Sequence, residues 1–266
     1  MLELTAGGAR ATVDPEAGGR LRTLSIDGFE LFTGPCFVMA PWAGRTGYGA
    51  FTFEGVDHVL PVDEKHAPHA IHGTVRDRAW VVESADRRQV RLSVGLGPDW
   101  PWEGWCEQVV SLDPGGLRLE LSVHAASAPF PAIAGWHPWF ADPDNTSVVA
   151  AALLQRGDDH LPTGVRLRPP VPDRFGPLDD CFEDIQWPAR LRWDDPALEL
   201  TIDATGCDHV IVYNGVEGST CVEPQSGPPD GLRTGEARTV RVGEPLLVTT
   251  TWTWGPPSDE PSDGDG

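Results

Sequence analysis

The tightest constraint on this chain is an apolar/polar alternation of period two. In residues 117–124, Leu117, Leu119, Leu121 and Val123 fall on one side, and Arg118, Glu120, Ser122 and His124 on the other. Successive side chains of a strand point to opposite faces, so this is the pattern of a half-buried strand. Val90, Leu92, Val94 and Leu96 repeat it, and further strand-like runs cover 79–84, 198–202, 210–213 and 245–254. Asp27-Gly28 separates the runs 21–26 and 29–31, a hairpin signal because that dipeptide accepts positive φ. Asp113-Pro-Gly-Gly116 joins two more. No long segment has period 3.6; short helical turns are expected only at 178–184 and after Pro229. With 30 Gly and 26 Pro to supply turns, the pattern specifies an all-β antiparallel sandwich or barrel. No internal repeat supports a propeller.

Residues 1–255 are expected to form one β-sandwich domain. Residues 256–266 (PPSDEPSDGDG) carry four acids and three prolines with no apolar side chain, and are expected to be a disordered acidic tail. The polar, Pro-rich stretch 157–177 is expected to be a surface excursion. Twenty Lys+Arg against 40 Asp+Glu give a formal charge of −20. That balance disfavours nucleic-acid binding through a general phosphate footprint and adhesion to an anionic membrane surface, so the expected partner is a small molecule, not nucleic acid or lipid. Five dispersed cysteines without a CxxC fit free thiols in a reducing compartment. The N-terminus lacks a signal-peptide pattern, and no apolar run approaches the roughly 18 residues of a spanning helix, so a cytoplasmic location is expected, as a monomer or homodimer.

Three segments place titratable residues among rigid or apolar neighbours: 66–76 (HAPHAIHGTVR), 135–140 (GWHPWF) and 221–230 (CVEPQSGPPD). His137 precedes Pro138 and Glu223 precedes Pro224. A residue before proline is held in the extended region, so both side chains are aimed by stiff backbone, as a preorganised acid and base require. His66, His69 and His72 have HxxHxxH spacing, but Pro68 interrupts any shared helical face, and no metal is expected. Residues 44–49 (GRTGYG) match no nucleotide-binding fingerprint and are expected to be a turn holding Arg45. Most of the 11 Trp should be core; Trp139 stands apart because it lies two residues past His137 and shares its face in an extended strand.

In order along the chain, these segments resemble the aldose 1-epimerase (galactose mutarotase) family. Residues 41–45 (PWAGR) through 51–55 (FTFEG) are similar to its N-R-[IV]…G…F…G stretch, with Gly44 in place of Asn. Ile71-His72-Gly73 is similar to its H-G motif, 135–140 to G-x-H-P-Y-F with Trp139 for Tyr, and 221–230 to C-x-E-P-Q…P-D. The resemblance runs from about residue 10 to 254.

It implies a large β-supersandwich and cofactor-independent interconversion of the α and β anomers of a free aldose. By that resemblance Glu223 is the base at the C1 hydroxyl, His137 the acid at the ring oxygen, and His72 a stabilising group beside them. Arg45 and Asp180 hold sugar hydroxyls, with Asp179 the adjacent alternative, and Trp139 supplies an apolar face. Two other readings stay open. One is a hexose 6-phosphate epimerase, since residues 72–80 are also similar to an H-G-x-x-R…W stretch and Arg76 and Arg78 are the nearest cations. The other is a non-catalytic carbohydrate-binding protein on the same fold.

Overall fold

The computed structural model describes residues 1–169 and 178–257. Its two main sheets are antiparallel throughout. The larger runs in the order Leu2–Ala6, Ala9–Asp14, Arg20–Ile26, Phe32–Met39, Gly135–Ala141, Ser219–Gln225, His209–Val216, Asp179–Ile185, Ala150–Arg156, Pro162–Leu167, with Phe29–Glu30 paired to Arg20–Ile26. The smaller runs Val81–Ala85, Gln89–Gly95, Gly104–Asp113, Gly116–Ala125, Leu246–Gly255, Leu198–Thr205, Ala189–Trp193, Asn145–Ser147.

The alternation read from the sequence sets the inner faces. Leu117, Leu119, Leu121 and Val123 are all buried, as are Val90, Leu92, Val94 and Leu96, and they join one apolar cluster with Trp136, Phe140, Val212 and Val222 of the larger sheet. Burying each such side chain is worth about 1.5–3 kcal/mol. The indole N–H of Trp136 is satisfied inside this layer: Gln108 Oε1 accepts it at 3.1 Å, and Gln108 Nε2 donates to the Gly19 carbonyl at 2.8 Å. Truncation of Trp136 would therefore empty a large site and also strand the Gln108 amide, a loss of about 3–5 kcal/mol from the cavity alone. Asp27 and Gly28 sit at φ 49° and 89° in the expected hairpin. No helix among the described residues is long and apolar enough to cross a membrane.

Two local expectations are corrected. Residues 178–184 are not a helical turn: Asp179–Ile185 is a strand paired on one side with His209–Val216 and on the other with Ala150–Arg156. Hydrogen bonding along both edges overrides the local propensity of its acidic residues. The excursion 157–177 contains an edge strand, Pro162–Leu167; residues 170–177 lie outside the described residues, as do 258–266 of the expected acidic tail. The short helix after Pro229 is present as Gly231–Thr234. Trp42, Trp80, Trp100, Trp136, Trp193 and Trp252 are core residues, whereas Trp105 lies partly exposed, stacked on His124.

Candidate active site

The face of the larger sheet turned away from the core is the floor of a cavity of about 650 Å³. Register builds that floor in rows. Gly135 pairs with Gln225 and Phe140 with Thr220, and this one register sets His137 opposite Glu223. Phe37 pairs with His137 on the other side. Beyond Glu223 come Ile211, Cys181 and Leu154 in successive strands. Two residues along, the same strands supply Trp139, Cys221, Tyr213 and Asp179. Because strand side chains alternate, the residues between these (Trp136, Phe140, Val222, Val212, Phe182) point into the core.

His137 Nε2 and Glu223 Oε1 are 3.2 Å apart, and both residues are buried, at 7% and 3% exposure. The His137 ring is clamped between Phe37, stacked at 4.5 Å, and Trp139, stacked at 5.1 Å. Burial pushes the Glu223 carboxyl well above the usual carboxylate range; Asp179 adds to the rise and Arg45 opposes it. Burial pushes His137 down to about 3, with the Arg76 charge acting in the same direction. The two shifts together describe a pair that is neutral at rest, a carboxylic acid beside an uncharged imidazole.

His72 and Arg45 reach the cavity from a two-stranded ribbon in which Arg45 pairs with Ile71. The His72 ring stands edge-on to His137, centroids 5.3 Å apart, and its buried Nδ1 has no protein partner. Burial, then the His137 and Arg76 groups, holds its pKa well below the ordinary value. Gly73 sits at φ 77°, and a Cβ there would lie 1.9 Å from the Ala40 carbonyl oxygen, so only glycine lets the ribbon approach this closely. Asp230 fixes the other strand of the ribbon. It is buried, its backbone N–H donates to the Arg45 carbonyl at 2.6 Å, and its Oδ1 accepts the Gly47 N–H at 2.8 Å. Its Oδ2 accepts both Arg233 Nε and Nη2.

Of the six residues singled out from the sequence, His72, His137, Glu223, Arg45 and Trp139 line this cavity, and Asp180 does not. Its neighbour Asp179 does, with Oδ2 2.6 Å from Arg156 Nη1 and 3.8 Å from Arg45 Nη1. Strand parity decides between them: Asp179 shares the Cys181 face, while Asp180 shares the Phe182 face. Tyr213, Arg156 and His160 also line the cavity and carried no sequence signal beyond residue type. The HxxHxxH histidines do not converge. His69 Nδ1 accepts the Tyr48 N–H at 3.1 Å and its Nε2 donates to the Asp159 carbonyl at 3.0 Å, while His66 pairs with Asp63.

A second cavity of about 460 Å³ adjoins the first, sharing Lys65, His66, His72, His137 and Trp139 with it. It adds Arg20 and Arg76, both paired to Asp77, at 2.6 and 2.9 Å. Lys65 is the chain's one lysine.

The model of the family described as aldose 1-epimerase matches residues 16–251. An uncharacterized protein of Escherichia coli (strain K12), YihR, is 29% identical over 224 residues, covering 74% of this chain and 71% of its own. Among solved structures, the GalM/aldose epimerase homologue from C. elegans superimposes with a TM-score of 0.83 at 15% identity, covering 97% of this chain and 99% of its own. A galactose mutarotase-like protein from Clostridium acetobutylicum gives 0.82 at 16% identity, with 96% and 95% covered. The two-sheet fold is thus that of the galactose mutarotase-like proteins, and with nearly the whole chain matched by the family model, the chain belongs to the aldose 1-epimerase family.

Proposed function

We propose that the protein interconverts the α and β anomers of a free aldohexose by acid–base ring opening. The observation that carries this reading is the contact between His137 Nε2 and Glu223 Oε1, 3.2 Å, on the floor of an accessible cavity. The C1 hydroxyl and the ring oxygen of an aldose are bonded to one carbon, so a base and an acid serving them must sit side by side.

In the opening step Glu223, as carboxylate, takes the C1 hydroxyl proton. The C1–ring oxygen bond breaks as the C1 carbonyl forms, and protonated His137 gives its proton to the ring oxygen. The pair has then passed from its charged to its neutral form with no net change in protons. Rotation about C1–C2 presents the other face of the aldehyde. In closure His137 takes the proton back from the hydroxyl as that oxygen attacks C1, and Glu223 returns its proton to the carbonyl oxygen. Burial favours the neutral form of the pair, so the site stabilises the state that accompanies the open sugar. Arg45 opposes the rise of the Glu223 pKa and thereby supports the charged form that starts the cycle. Asp179, Arg45 and Arg156 hold hydroxyls, His72 donates or accepts at C1, and Trp139 and Tyr213 flank the ring.

Polarimetry on freshly dissolved α-D-glucose and α-D-galactose tests this. Expected is a faster approach to the same final rotation, with Glu223→Gln reducing the rate by about 10²- to 10⁴-fold. No acceleration with either sugar, or a fully active Glu223→Gln protein, overturns the assignment.

A second reading, a sugar bearing an anionic group such as a hexose 6-phosphate, is favoured by the cations of the adjoining cavity. Asp77 and Asp63 offset two of the three charges of Arg20, Arg76 and Lys65, which leaves one net positive charge to meet an anion. Competition between glucose and glucose 6-phosphate in the same assay decides between the two substrates.

A further inference from the structure

One buried side chain beside the acid–base pair has no use in proton transfer. Cys221 is fully buried and lies two residues before Glu223, hence on the same strand face, in the row between Trp139 and Tyr213. The ligating atoms of His137, Cys221 and Glu223 all lie within 4.8 Å of one another. Among the described residues no other group of three His, Cys, Asp or Glu side chains converges in this way.

We propose that His137, Cys221 and Glu223 form a binding site for a borderline-soft divalent cation, Zn²⁺ or Cd²⁺, whose occupancy inhibits the enzyme. Three arguments support it. The first is geometry: a tetrahedral ion with bonds of about 2.0–2.1 Å to nitrogen and oxygen sets those atoms about 3.3 Å apart, close to the 3.2 Å found here. The thiolate bond is longer, about 2.3 Å, so the cysteine arm needs a closure of at most about 1–1.5 Å. The second is charge. Binding displaces the thiol proton of Cys221 and the carboxyl proton of Glu223, and two protons go to solvent. A dication with one thiolate, one carboxylate and one neutral imidazole is uncharged as a unit, which suits a buried position beside Ile211, Leu154 and Trp139. The third is ligand type: a thiolate and an imidazole select zinc-like ions over Mg²⁺ or Ca²⁺, which require six or more oxygens.

His137 and Glu223 line the cavity, so an ion held between them borders the space a sugar enters. An ion held there occupies both proton-transfer atoms, so it competes directly with catalysis. With only three protein ligands, the ion should exchange with a strong chelator.

The test is a titration of chelator-treated full-length protein with Zn²⁺, in competition with a chromophoric chelator, and with Cd²⁺, read by thiolate-to-metal absorption in the ultraviolet. Expected are one site-bound ion per chain, a cadmium–thiolate band, and loss of activity restored by EDTA. Cys221→Ala should abolish the band and weaken binding by more than about 100-fold, since loss of an outer-shell partner alone costs 10- to 100-fold. Cys181→Ala, a second buried cysteine on the same floor, should leave band and affinity unchanged. Equal affinity in wild type and Cys221→Ala, or a wild-type protein with no thiolate band, overturns the proposal. Should Cys221→Ala fail to fold, Glu223→Gln replaces it: the band must persist at weakened affinity, and unweakened affinity is the refuting result. The band and stoichiometry are read without any sugar, so failure of mutarotation and failure of this site are separate outcomes.

Discussion

The resting charge of the His137–Glu223 pair can be read through stability. His137→Gln removes the titrating ring but keeps a polar atom near the Nε2 position. A histidine whose pKa is 6.5 in the unfolded chain and about 3 in the folded one contributes stability that is present above pH 6.5 and is lost as pH falls from 6.5 toward 3. At pH 5 the unfolded chain holds that proton and the folded chain does not. The difference of about 1.5 pH units below 6.5 costs about 2 kcal/mol relative to pH 8, at 1.36 kcal/mol per unit. Urea denaturation of both proteins at pH 8 and pH 5, in buffer with chelator, measures it. Wild type should lose about 2 kcal/mol more than His137→Gln over that interval, a difference of about 1 M in midpoint at an m-value of about 2 kcal/mol/M. Burial, the leading cause of the shifts at His72 and Glu223, is present in both proteins, and only the smaller His137 contribution to the His72 pKa is lost with the ring. Parallel losses would refute the burial argument. A wild type that gains on the variant as pH falls would show the opposite sign: a His137 pKa raised by a resting ion pair with Glu223.

Gly73→Ala forces the Cβ and the Ala40 carbonyl apart by about 1 Å from their 1.9 Å approach and moves His72 with the ribbon. Activity should fall on the order of 100-fold, whereas Gly28→Ala, equally left-handed but with nothing within 4 Å, should lose stability alone. Asp179→Asn should raise KM for the sugar at least about tenfold while Asp180→Asn changes it less than twofold, as a competition series would show; the reverse ranking would refute the parity argument. Asp230→Asn keeps an acceptor for the Gly47 N–H but loses the charge facing Arg233. It should cost about 1.5–3 kcal/mol in denaturation and raise KM more than it lowers kcat, because Asp230 acts on substrate only through the Arg45 backbone.

The strands were legible because their inner faces are apolar at every second position, as at Leu117 to Val123. Pro138 and Pro224 singled out His137 and Glu223 locally, but their pairing as acid and base came only with the family resemblance. What lay beyond the sequence was register. His137 and Glu223 are brought together by pairing between strands more than 70 residues apart in the chain, and nothing near either residue encodes that alignment. The same limit governs Asp179 and Asp180. Once 179–185 is a strand, parity with the buried Phe182 places Asp179 on the cavity face, but acidic residues beside a proline-rich stretch read locally as a turn. Phe37, which stacks on His137, has no flanking signal at all; only its cross-strand position gives it a role.

The two prolines also explain why the pair sits in the middle of a sheet. Proline donates no hydrogen bond, so a proline in a central strand interrupts the ladder. Between Gly135–Ala141 and Ser219–Gln225 pairing is made at Gly135 with Gln225 and resumes only at Phe140 with Thr220. The interruption spans His137 and Glu223. Each strand is nevertheless held on its outer side: Trp136 and His137 pair with Val38 and Phe37, while Val222, Glu223 and Pro224 pair with Val212, Ile211 and Val210. The seam is thus open only where the acid and base meet, between two strands fixed by their other neighbours. Such a seam gives two buried ionisable side chains a rigid 3.2 Å separation without relying on a loop. Replacing Pro138 or Pro224 by a residue with an N–H would let the ladder close across the seam, so rigidity would rise while the spacing on which proton transfer depends would shift.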